Sequence, residues 1–121
     1  MADAIGKAIG VMFLSRDVAH RNHLGTKSLA EHLALNGFYD GIVEMADKLA
    51  ETWQGYGKLI EDIPYMTNDR DGSSEDILRR HLAMLMKIKG TDDKWEGAIE
   101  NIFDEIEAFY LSTLYRLRFL K

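Results

Sequence analysis

The chain has no cysteine, which excludes disulfides and thiolate metal sites and is compatible with a cytoplasmic protein. It has one proline, Pro64, and its ten glycines are scattered rather than clustered. That favours long uninterrupted helices over a turn-rich β protein. No apolar stretch approaches the roughly 18 residues of a membrane span. The start, Met1-Ala2-Asp3-Ala4, lacks the basic region and long apolar core of a secretory signal. Positive charge is also scarce: the formal net charge is -5. The short basic runs, Arg79-Arg80-His81 and the end Arg116, Arg118, Lys121, read as solvated helix surface, so duplex DNA is expected to bind weakly or not at all.

What is present is an ordinary globular balance, 46% apolar and 29% charged over 121 residues, which suits one all-α domain spanning the whole chain. Four segments carry helical periodicity. The first runs from about Asp3 to His23 with Ile5, Ile9, Met12, Phe13 and Val18 as its stripe, and Gly25 is a C-terminal stop. The second opens at Ser28, with Glu31 completing a capping box, and continues to about Trp53 through Leu29, Leu33, Ile42, Ala46 and Leu49. A mixed stretch from Gly55 to Gly72 holds Pro64 and the turn-prone run Asn68-Asp69-Arg70-Asp71-Gly72. The third helix opens at Ser73 or Ser74 and ends at Gly90; the fourth begins near Thr91 or Asp92 and reads through Ile99, Ile102, Ile106, Phe109 and Leu117.

The first and third connections are short, so their helices lie side by side and antiparallel. The middle one, about 17 residues long, covers about 55 Å when extended, more than the ~40 Å of the second helix. It can cross the whole bundle. Short, long, short is the connectivity of a ferritin-like four-helix bundle with a long crossover between helices two and three.

The second helix carries the sharpest chemical signal: His32, Asn36, Asp47 and Glu51. At about 100° per residue they fall near 0°, 40°, 60° and 100°, on one face. They form two i, i+4 pairs roughly 20 Å apart along the axis, so one chain cannot close both on one metal. A second copy of the helix, antiparallel across a two-fold axis, sets the His32/Asn36 end of one against the Asp47/Glu51 end of the other. Gly37 and Gly41 near the midpoint would ease that approach. Imidazole plus carboxylate is a suitable ligand set for Fe(II), Zn(II) or Mn(II) alike. His20, at the end of the first helix, is a natural further ligand, and His23 either flanks the site or is simply a polar helix end.

At these residues the sequence resembles the Dps family of miniferritins, the DNA-binding proteins from starved cells. The family's first-helix motif is His-Trp-Asn-Val-Lys/Arg-Gly, and the chain reads His20-Arg21-Asn22-His23-Leu24-Gly25. The second motif is a His followed four residues on by Asp, then Asp-x-x-x-Glu. Here His32 is followed by Asn36, then Asp47-Lys48-Leu49-Ala50-Glu51, with no gap in the spacing. The resemblance covers about Ala19 to Trp53. It implies a shell of twelve subunits, iron-oxidising sites at each two-fold interface, and Fe(II) oxidised by peroxide or oxygen and stored as Fe(III). By position, Asp47 and Glu51 would come from one chain and His20, His32 and residue 36 from its partner, with Glu51 bridging two irons. Asn36 stands where the motif has a carboxylate, and Arg21 where it has Trp.

Other candidates read as ordinary structure. His81 follows two arginines and is expected at the surface. Glu100, Asp104 and Glu107 form a solvent-facing acidic stripe or, alternatively, line an iron entry; Trp53 and Trp95 are packing residues. No Glu-x-x-His occurs, which disfavours a di-iron centre inside one bundle. Gly55-Tyr56-Gly57-Lys58 lacks the length of a phosphate loop, and no Ser/His/Asp arrangement points to nucleophilic catalysis. Two functions are therefore expected in competition: a ferroxidase and iron store, or a non-enzymatic bundle that uses the same interface for assembly or partner binding. Asn36 and Arg21 favour the second.

Overall fold

The computed structural model describes residues 3–67, 70–92 and 94–121. Among them are four helices and no strand: α1 (Ala4–Gly25), α2 (Leu29–Gln54), α3 (Ser74–Lys89) and α4 (Gly97–Phe119). The start of the turn-prone run, Asn68 and Asp69, lies outside the described residues. Among the described residues no helix is long and apolar enough to cross a membrane.

Helix starts follow their capping residues. The Asp3 carboxylate accepts from the Gly6 N–H at 2.6 Å, and Ser28 Oγ accepts from the Glu31 N–H at 3.2 Å. The box expected at Ser28 is only half formed, because the Glu31 carboxylate takes the Thr26 hydroxyl instead. The reciprocal box forms at α3: Ser73 Oγ accepts from the Asp76 N–H and Asp76 Oδ2 from the Ser73 N–H, each at 3.1 Å. Those Ser73 bonds, the backbone one first, hold the Asp76 carboxyl below its ordinary value. Such a cap is worth about 1 kcal/mol. α4 starts later than expected, at Gly97. Trp95 Nε1 donates to the Lys89 carbonyl at 2.7 Å and Thr91 N to Ile88 O at 3.1 Å, so the connection stays tied to carbonyls that the end of α3 leaves open.

The helices pack around a square in which α1 adjoins α2 and α3, and α4 adjoins the same two. Side-chain pairs give their sense. Asn22 meets Ser74 and Ser15 meets His81, so α1 and α3 are antiparallel. Gly41 meets Phe109 and Lys48 meets Glu105, so α2 and α4 are antiparallel. Lys89 with Asp104 and Glu75 with Arg118 make α3 and α4 antiparallel. The centre is filled by Ile5, Ile9 and Met12 of α1, Leu35, Phe38, Ile42 and Leu49 of α2, Leu78 and Leu85 of α3, and Phe103, Ile106 and Tyr110 of α4. Each such side chain, fully removed from water, contributes about 1.5–3 kcal/mol before entropy is counted.

α1 is buried on nearly every side because residues 62–66 cover the flank that α2 and α3 leave open. A Cβ on Gly6 would overlap the Asp62 carbonyl oxygen, and one on Gly10 would sit 2.8 Å from the Pro64 carbonyl oxygen. Phe13, expected in the core stripe, is 45% exposed beside Ile63 and Tyr65 of this segment. Leu29 and Leu33 are also exposed; Leu33 lies about 160° around α2 from core residue Leu35.

Two further expectations are corrected. His81 is not at the surface: it is 1% exposed, with Nδ1 2.8 Å from Ser15 Oγ. It shares the buried α3 line of Ile77, Leu78, Leu82 and Leu85, a register that outweighs its two arginine neighbours. Gly41 does not open α2 to a second copy. The Phe109 ring fills its place, with Cζ 2.7 Å from where a Cβ would stand, so this glycine serves the α2–α4 contact.

Candidate functional site

The turn between α1 and α2 brings three imidazoles and a phenol together. The His20 ring stacks on the Tyr39 ring, with centroids 4.1 Å apart and planes 12° from parallel. The His23 ring stacks on that of His32 at 3.6 Å and 22°, and Tyr39 meets His23 edge-on at 5.2 Å. Hydrogen bonds tie the stacked histidines both ways: His23 Nδ1 to His32 O at 2.7 Å, and His32 Nδ1 to His23 O at 3.0 Å.

Asn36 belongs to the same group. Its Oδ1 accepts from the Tyr39 hydroxyl at 2.9 Å, and its Nδ2 donates to Asp40 at 3.3 Å. His20, His32 and Asn36 are half-buried, whereas Asp47 and Glu51 are exposed farther along α2. The structure thus gathers three of the five expected site residues at one end of the helix. The two carboxylates stand about 17–29 Å away along the axis, from the 1.5 Å rise per residue. Among the described residues, no group of three or more His, Cys, Asp or Glu side chains could hold a metal ion within one chain. Arg21 pairs with Asp17 at 2.8 Å on the exposed side of α1.

Sequence reasoning gave no partner to Tyr39 and left His23 undecided. The available signal was the hairpin register: His23 and His32 lie at equal separations from a turn centred between Lys27 and Ser28. Residues so related meet across antiparallel helices. The acidic stripe of α4 is partly engaged, since Asp104 binds Lys89 at 2.8 Å and raises that ammonium above its ordinary value. Trp53 and Trp95 pack edge to face at 6.2 Å, as expected of packing residues.

Among known proteins, no curated protein and no solved structure matches the chain. A family model matches residues 23–117, which include His32, Asn36, Asp47 and Glu51 but not His20. That match spans well over half of the chain, which therefore belongs to the family of unknown function DUF5856.

Proposed function

We propose that the chain is a Dps-like miniferritin that binds Fe(II) as its substrate between paired subunits, oxidises it with peroxide or oxygen, and stores or detoxifies the product. The observation that carries this reading is the division of the donor set. His20, His32 and Asn36 cluster at the start of α2, Asp47 and Glu51 stand exposed well along the same helix, and neither group alone is a complete site. A two-fold pairing of antiparallel α2 helices supplies each end with the other's donors. Two imidazoles and two carboxylates fit Fe(II), and Zn(II) or Mn(II) would compete for them. The protein's part is to hold the donors and set two irons close together.

The proposed fold is ferritin-like, with segment 55–73 crossing between opposite ends of the bundle. Support comes from the sense of the helices: α2 and α3 are both antiparallel to α4, so a chain leaving α2 must travel the bundle's length to enter α3. The proposed assembly is a homo-oligomer of twelve subunits in the cytoplasm, with weak duplex DNA binding at net charge -5.

One observation favours the assembly-only alternative. Asn36 is committed to Tyr39 and Asp40 within its own helix, which weakens the second iron position. Adding Fe(II) and following Fe(III)-oxo absorbance against a protein-free control separates the two. Oxidation no faster than the control leaves the assembly reading.

A further inference from the structure

We infer that His23 is a positioning residue for the imidazole of His32, an inference that rests on the reading of His32 as a metal ligand. The reciprocal hydrogen bonds decide the tautomer. A carbonyl oxygen only accepts, so His32 Nδ1, 3.0 Å from the His23 carbonyl, carries the proton. The only lone pair left on the neutral His32 ring is at Nε2, which becomes its one metal-binding atom. A ring N–H donated to a carbonyl also fixes the orientation of a ligand imidazole.

The stack restricts the ring further. His23 is 6% exposed and its ring covers one face of His32 at 3.6 Å. Its own Nδ1–H is anchored to the His32 carbonyl at 2.7 Å, so ring and wall are tied to one another's helices. Rotation of His32 about its side-chain bonds would break the bond to His23 O and the stack together. His23 therefore acts through His32 rather than on the metal. It also joins α1 to α2, so its test must separate orientation from simple stability.

The first measurement uses the unaltered, metal-free chain. Long-range proton–nitrogen NMR correlations of the histidine rings should show His32 protonated at Nδ1. A ring protonated at Nε2 overturns the inference, whatever any variant does. The second measurement is anaerobic Co(II) titration, read by visible absorption, for the wild type, His23→Leu and His23→Phe. With helical content unchanged by circular dichroism, His23→Leu should bind Co(II) several-fold more weakly, because the His23 carbonyl that accepts from His32 Nδ1 stays and what is lost is the ring stacked on His32 with its bond to the His32 carbonyl. His23→Phe restores a flat ring over His32 and should recover most of that loss. A purely structural His23 would lower the melting temperature in both variants and leave Co(II) affinity and spectrum unchanged, which overturns the inference alone. A wild type that takes up no Co(II) overturns the ligand reading itself, and this inference with it.

Discussion

Tyr110 of α4 donates its hydroxyl proton to Ser15 of α1 at 2.7 Å inside the bundle core. Ser15 in turn lies 2.8 Å from His81 Nδ1 of α3, so three helices share one buried polar chain. Burial pushes the Tyr110 hydroxyl well above its ordinary value, and the bond to Ser15 offsets only part of that. A folded-state pKa above the unfolded one gives stability that is complete below the unfolded value, about 10, and is lost as pH rises beyond it. The melting temperature of the wild type should therefore fall above about pH 10, and that of Tyr110→Phe should fall less steeply. The variant should lose about 1 kcal/mol at neutral pH for the missing hydrogen bond. Parallel alkaline melting curves for the two proteins would show that Tyr110 does not drive the transition.

Gly6→Ala should be destabilising although alanine is the better helix former. The helix gain is at most about 1 kcal/mol. The new methyl overlaps the Asp62 carbonyl oxygen, and such overpacking costs about 1–3 kcal/mol. Residues 62–66 should lift from α1, and the segment should be cut faster by trypsin at nearby Lys58. Unchanged cleavage together with a higher melting temperature would mean that the segment does not rest on α1.

Glu51→Ala should remove most Fe(II) oxidation and leave helical content intact, because Glu51 is exposed on α2. A variant that oxidises Fe(II) at the wild-type rate would eliminate Glu51 as the proposed bridging ligand.

Asn36→Asp restores a carboxylate and should tighten a second iron position in anaerobic calorimetric titration. The new side chain can still accept from the Tyr39 hydroxyl, but it loses the bond to Asp40 and faces it as a like charge at i, i+4. That repulsion is worth only about 0.2–0.5 kcal/mol, so the variant should fold. Unchanged stoichiometry and affinity would show that residue 36 does not face metal.

The shared site can be tested by complementation. One variant carries His20→Ala and His32→Ala, the other Asp47→Ala and Glu51→Ala, and each alone should be inactive. Dissociated and reassembled together at random, about half of the pairs are mixed, and each mixed pair has one complete site. Roughly a quarter of all sites should regain oxidation. No recovery, once mass spectrometry has verified mixed assemblies, would sink the intersubunit arrangement.

The sequence by itself determined what depends on one helix at a time. Ser28 and Ser73 begin their helices because a hydroxyl can take an amide proton that no preceding turn can. His32, Asn36, Asp47 and Glu51 share a face because 3.6 residues make a turn. Whatever depends on which helix faces which was decided only in three dimensions. Gly41 looked like a gap for a second copy until the Phe109 ring filled it, and His81 looked exposed until Ser15, itself bonded to Tyr110, met it in the core. The bonds between His23 and His32 likewise needed the hairpin closed. Helical periodicity assigns each side chain an angle about its own axis. The partner at that angle comes from another part of the chain, and only packing brings the two together.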